Sequence, residues 1–93
     1  MDWHPYAETY PLLDGDEYES FKADIATYGQ RELITYRMVG GKKQGLDGRN
    51  RERACLDLGI VCQHQEVKVA DEDVAPFIAS LNKHRRPLTP EQR

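Results

Sequence analysis

GLDGRNRERACLDLG, residues 45–59, reads as a helix with a glycine at either end. Asp47 and Gly48 lead into it, its body runs from about Arg49 to Leu58, and Gly59 takes the left-handed position that stops it. Ala54, Cys55 and Leu58 are its expected inward residues. Arg49, Arg51 and Arg53 fall in its first two turns, against the electrostatic preference. A helix N-terminus already carries a partial positive charge and unpaired N–H groups, so acids are favoured there. Each exposed misplaced charge costs only about 0.3–1 kcal/mol. The cost is offset where an anion sits at the turn. Backbone N–H groups then face the ligand, glycine allows close approach, and arginine grips phosphate through two parallel hydrogen bonds. Arg49 and Arg53 are four apart and share a face, while Arg51 points elsewhere. A solvated helix with Glu52 and Asp57 balancing the arginines explains the same residues, and spacing alone leaves the two readings even. The turn is not a Walker loop, since it lacks that motif's glycine spacing and its Lys-Ser/Thr pair.

Upstream, DGDEYESFKADIATYG predicts a helix capped by Asp14 or Asp16 and ended by Gly29. Tyr18, Phe21, Ile25 and Tyr28 recur at helical spacing and form one apolar, core-facing stripe. ELITYRMV is β-branched and aromatic, hence a strand; GGKK is a hairpin turn, and Gln44–Leu46 a short return strand. Downstream, residues 60–69 alternate imperfectly and predict a second substantial strand. DEDVAPFIASLN is a third helix with Val74, Phe77, Ile78 and Leu81 inward, and Pro76 is tolerable there because it lies near the first turn. The final LTPEQR carries a cap, a first-turn proline and a glutamine at the third position, the signals of a new helix. The expectation is one domain over residues 1–88, with 89–93 leading into a further region. Its fold class is α+β, a small mixed sheet packed with helices.

The 93 residues suffice for one modest core, and 39% apolar with 31% charged fits a globular chain. No apolar run is long enough to span a membrane and MDWHPYAETY is no secretory signal, so a cytoplasmic location is expected. Cys55 and Cys62 are expected as reduced thiols rather than a framework. The net charge of −3 conceals segregation: residues 1–24 hold seven acids against Lys22 alone, whereas Lys42, Lys43, Arg49, Arg51 and Arg53 face only Asp47 and Glu52. A uniformly basic nucleic-acid binder is excluded, but a local basic site is not.

SLNKHRR is a second anion candidate, in which Asn82 and Arg85 or Arg86 reach a shared ligand and the Asn82 amide oxygen can meet a hydrated Mg²⁺. Basic residues simply favouring a helix C-terminus are the alternative. His4, His64 and His84 have no zinc spacing, and no local nucleophile signature occurs. Asp47 and Glu52 lie about 140° apart around a helix axis, so they converge poorly as a catalytic pair.

The order FKADIATYGQRELITY, LDGRNRERACLDLG, SLNKHRRPLTPEQR resembles the N-terminal domain of the ParB family of chromosome and plasmid partition proteins and their phage relatives. The resemblance runs from about His4 to Arg93 and is strongest in GRNRERA followed by NKHRR. It implies a fold shared with sulfiredoxin and a site for a nucleoside triphosphate, CTP in partition proteins, with Mg²⁺ and at most slow hydrolysis. By the same resemblance Gly48, Arg49, Asn50 and Arg51 form the phosphate-cradling turn, Asn82 the metal or phosphate asparagine, Arg85 the phosphate arginine, and Gly29 the glycine beside the nucleotide. Leu81 stands where those proteins carry a metal-holding glutamate, and Arg49 where they carry an acid. The sulfiredoxin reaction needs a cysteine where Arg49 and Asn50 stand and is excluded. The implied role is a nucleotide-binding regulatory module of a nucleoid-associated plasmid or phage protein, dimeric, with DNA read by a region outside this chain. The rivals are a ParB-like nuclease or nucleotide-dependent enzyme, and a domain that contacts DNA phosphates directly without nucleotide.

Overall fold

Gly40 and Gly41 adopt positive φ, 56° and 81°, in a two-residue turn whose twist suits an antiparallel hairpin. The strands it joins are the centre of the fold: β2 (Ile34–Val39) and β3 (Lys42–Asp47). The computed structural model describes residues 1–85, with side chains described through Asn82. Before the hairpin come β1 (Asp2–Trp3), a 3₁₀ turn at Ala7–Thr9, and α1 (Gly15–Tyr28). After it come α2 (Arg49–Leu58), β4 (His64–Glu66), a 3₁₀ turn at Asp71–Asp73, and α3 (Val74–Arg85). The sheet order is β1-β3-β2-β4. β2 and β3 are antiparallel, while β1 joins β3 and β4 joins β2 in parallel. The expected α+β class with a small mixed sheet is the one observed.

Four local expectations change. The return strand is six residues, not three, because the glycine turn lets pairing begin at Lys42 opposite Val39. The strand expected over 60–69 contracts to His64–Glu66. Ahead of it, the Ile60 N–H closes α2 on the Cys55 carbonyl; beyond it, Val67 and Val69 turn in to pack against the core cluster of Ala7, Leu46, Val74 and Ile78. Asp2–Trp3, to which the sequence pattern assigns no element, pairs with Gln44–Gly45. Gly45 makes that possible, since any Cβ there would overlap the Trp3 ring. Finally, Tyr28 leaves the stripe of α1 and is 70% exposed, with the Arg31 guanidinium 4.9 Å from its ring centroid. Asp14 occupies the cap position of α1 without a side-chain cap hydrogen bond.

Two apolar clusters hold the layers. Ala7, Leu46, Val74 and Ile78 pack between β3 and α3, with Trp3, Tyr6, Tyr10 and Phe77 around them. Tyr18, Ile25 and Ala54 pack between α1 and α2, with Leu13, Phe21 and Leu58 around them. Buried Arg37 ties the sheet to the approach to α3. It donates to the Gln44 Oε1 (2.8 Å), the Val69 carbonyl (3.2 Å) and Asp71 (2.7 Å). Burial first, and then its hydrogen bond to Cys55, pushes the Cys62 thiol up to about 12. The starting segment of LTPEQR lies outside the described residues, as does the proposed boundary at 88.

His64 at the start of β4 gives the fold a pH dependence. Its imidazole is held below the ordinary 6.5, by burial first and then by Lys43, whose Nζ lies 3.4 Å from Nδ1. The Tyr36 ring stands edge-on to it, and more distant Glu52 pulls the other way. An unfolded chain takes up the proton first, so His64 contributes stability in full above 6.5 and loses it as pH falls through the depressed value. Thermal melts are expected to show Tm falling between pH 7 and 5, with a shallower slope in His64→Gln. Equal slopes for the two proteins would refute the assignment.

Candidate functional site

The buried end of the hairpin builds the site. Register between β2 and β3 shifts at Thr35/Tyr36, so Thr35 faces Asp47 while Tyr36 faces Gly45. The extra residue, Leu46, bulges into the core below α3, and Asp47 is brought against α2. Gly48 then turns the chain into α2 with φ 116° and ψ 23°, a left-handed conformation. A Cβ on Gly48 would lie 2.9 Å from Ile34 Cγ1, 3.2 Å from Ile34 Cα and 2.9 Å from Arg51 Nη1. Glycine is therefore required sterically as well as conformationally. No side chain caps the start of α2.

A cleft of about 320 Å³ opens at this turn. Gly48, Arg49, Asn50 and Arg51 line it together with Asn82 of α3, the segment Tyr10–Leu13, Glu32 and Asp47. A second cleft, lined by Gly29, Asp24 and Arg31, shares Phe21, Glu32 and Arg51 with the first. Six expected residues (Gly29, Gly48, Arg49, Asn50, Arg51 and Asn82) thus border two adjoining clefts, although Gly29 and Asn82 are 53 residues apart in the chain. The seventh, Arg85, ends α3, and its side chain lies outside the described residues.

The three arginines have different partners. Arg49 Nη1 donates to the carbonyls of Tyr10 (3.0 Å) and Ala7 (3.5 Å). Arg53 donates to the Leu13 carbonyl at 2.8 Å and lies 3.7 Å over the Tyr18 ring. Between them, Asn50 Oδ1 accepts from the Leu13 N–H at 2.9 Å. Arg51 faces the other way, as its spacing predicts. Its Nη2 donates to Glu32 at 2.7 Å and its Nη1 lies 3.7 Å from Asp47. Among the described residues, Arg51 Nη1 is the buried side-chain donor left without a hydrogen-bond partner.

Among the described residues, neither Glu52 nor Asp57 forms an ion pair with these arginines, although all but Arg51 of the group line one shallow cleft. Glu52 accepts from the Trp3 indole at 3.2 Å and lies 3.7 Å from the chain's amino terminus; Asp57 accepts from the Tyr18 hydroxyl. Asp47 and Glu52 accordingly serve different neighbourhoods and do not converge. Asn82 Nδ2 donates back to the Ile78 carbonyl at 2.9 Å, within its own helix. No three His, Cys, Asp or Glu side chains among the described residues cluster as a metal site. No helix there is long and apolar enough to cross a membrane.

Sequence reasoning missed the wall formed by Tyr10–Leu13, the Glu32 partner of Arg51, and the attachment of Arg53 to Leu13. Pro11 within YPLL was the available signal, because it marks an extended segment with little helical or strand character of its own.

No protein-family model matches this chain, and no curated protein matches it. Among solved structures, it resembles the C-terminally truncated chromosome-partitioning protein ParB from Caulobacter crescentus, complexed with CTP-γ-S. The TM-score is 0.76 at 20% sequence identity, over 94% of this chain and 50% of that one. The chain thus spans half the length of the ParB chain it matches and has the fold of a ParB-like N-terminal domain.

Proposed function

We propose that the cleft at the start of α2 binds the phosphates of a nucleoside triphosphate, in a regulatory module of a ParB-like, DNA-associated protein. The observation that carries this reading is Arg51 Nη1, a buried donor without a hydrogen bond beside a glycine turn and an uncapped helix start. Leaving such a donor unmet is costly, and a phosphate oxygen would satisfy it with a charge-assisted bond. The Gly48–Arg51 turn would cradle the phosphates, with Arg49 and Asn50 beside it. Asn82 and Arg85 of α3 would close the site, and Gly29 would border the nucleoside. The fold shared with a ParB that was crystallised with CTP-γ-S supports CTP as the first nucleotide to test.

The residues present fit a cation carried by the ligand rather than one held by protein alone. Mg²⁺ keeps water and phosphate oxygens readily, and Asn82 Oδ1 would contribute one protein oxygen. When bound, it would neutralise phosphate charge near Asp47 and Glu32. DNA contact through a region outside this chain, and dimerisation, belong to the same proposal. Direct binding of DNA by this cleft is disfavoured, because Glu32 and Asp47 line it and the chain's net charge is −3.

Calorimetric titration with CTP, ATP and GTP, each with and without Mg²⁺, tests the reading. Selective binding of one triphosphate is the expected result. Heats of dilution alone for all three would refute it.

A further inference from the structure

We infer that the segment Ala7–Leu13 is a latch that the nucleotide must open, an inference that rests on the phosphate reading of the cleft. Among the described residues, four hydrogen bonds join it to α2, three donated by arginines of α2 to carbonyls of the segment and one donated by the Leu13 N–H to Asn50 Oδ1. Arg49 holds the Ala7 and Tyr10 carbonyls, Asn50 holds the Leu13 N–H, and Arg53 holds the Leu13 carbonyl. The two guanidinium groups on this face are therefore satisfied by neutral peptide oxygens. A phosphate oxygen is a charged acceptor and a markedly stronger partner for the same donors.

The same Arg49 Nη1 cannot serve both, and the Asn50 amide cannot keep Oδ1 on the Leu13 N–H while turning its Nδ2 to a phosphate. Arg49 and Asn50 line the cleft together with Tyr10, Pro11, Leu12 and Leu13, so the segment is both the wall of the site and the occupant of its ligands. When phosphate draws Arg49 from the Ala7 and Tyr10 carbonyls and Asn50 turns its Nδ2 to the phosphate, Asn50 Oδ1 leaves the Leu13 N–H. The Arg53 bond alone is then too little to hold the segment, which comes away from α2. Release reaches further along the chain in both directions. Ala7 belongs to the core under α3, and Leu13 packs on the cluster between α1 and α2. Opening the latch thus loosens one contact on each side of the sheet-to-helix packing, and the exchange couples phosphate to the start of α1.

A closed latch lowers apparent affinity by the fraction of molecules that are open. Arg53 tests this, because it fastens Leu13 from outside the main cleft and is not among the proposed phosphate ligands. Arg53→Met keeps an apolar stem against Tyr18 while removing the bond to Leu13. Two readouts are needed: calorimetric titration of wild type and Arg53→Met with CTP and Mg²⁺, and hydrogen exchange at the Leu13 amide of the wild type.

The expected results are severalfold tighter binding by Arg53→Met, and exchange at Leu13 at least about tenfold faster in the CTP-saturated wild type. Binding by Arg53→Met alone would also support the latch. Binding by the wild type with Leu13 exchange unchanged or slowed would overturn the latch and leave the nucleotide reading standing. Equal or weaker binding by Arg53→Met would do the same. No binding by either protein overturns both.

Discussion

Arg51→Met is expected to lower the unfolding free energy by about 3 kcal/mol, the low end for removing one member of a buried ion pair. Asp47 is 9% exposed, and the Arg51 side chain 13%. Deleting the guanidinium takes the Arg51 charge away from the buried Asp47 carboxylate. Glu32 contributes less to the loss, because it is half exposed and water can take over its hydration. The value sits at the low end because the Arg51–Asp47 separation is 3.7 Å, an ion pair without a hydrogen bond. Urea denaturation checks it. The double variant Arg51→Met/Asp47→Asn is expected to recover a large part of the loss, since the buried charge that Arg51 faced is then gone as well. A single-variant loss below about 1 kcal/mol would show that the pair does not hold the turn. The proposed nucleotide role adds a second expectation, that CTP affinity falls with Arg51 even under conditions where the variant is fully folded. Stability and binding therefore meet in one side chain, and each must be measured separately.

Gly48→Ala is expected to cost a similar amount, about 3 kcal/mol, for a different reason. A φ of 116° forces an L-residue into strained backbone, worth roughly 1–2 kcal/mol. The remainder is collision. The new methyl would meet Ile34 Cα at 3.2 Å and Cγ1 at 2.9 Å, and the Arg51 guanidinium at 2.9 Å. Ile34 cannot easily retreat, because β2 is paired with β3 on one side and with β4 on the other. Gly59→Ala provides the comparison. Gly59 has φ 70° and nothing within 4 Å of its missing Cβ, so only the conformational strain of about 1 kcal/mol applies. Thermal melts of the two variants should therefore separate, with Gly48→Ala lower. Equal Tm values would mean that β2 yields to the methyl group.

The two variants also show which parts of the site were readable. Gly48 was legible as a required glycine because a turn into a helix imposes its backbone angle locally. The arginine excess was legible because three cations at a helix start violate a rule that operates within one turn. Their individual partners were not legible. Arg49 reaches carbonyls 42 and 39 residues away, and Arg53 one 40 residues away. Only the folded chain brings such atoms together.

The same division runs through the fold. Sequence alone determined the three helices and the β2–β3 hairpin, since capping glycines, apolar spacing and a Gly-Gly turn act over neighbouring residues. It also determined that Val74 and Ile78, and Tyr18 and Ile25, face inward. Tertiary structure decided the edges. β1 is two residues long and exists because Gly45 leaves room for the Trp3 ring, a condition set by a strand neighbour rather than by residues 1–10. β4 shrank to three residues because Val67 and Val69 gain more by joining the core than by extending a ladder on β2. Tyr28 carried the right spacing for the apolar stripe, yet it sits in the last turn of α1, and the packing partner, α2, meets Tyr18 and Ile25 instead. Local sequence sets conformations whose energies are local. Which strand edge is filled, which aromatic is covered and which carbonyl an arginine holds depend on surfaces that exist only after those local pieces have packed.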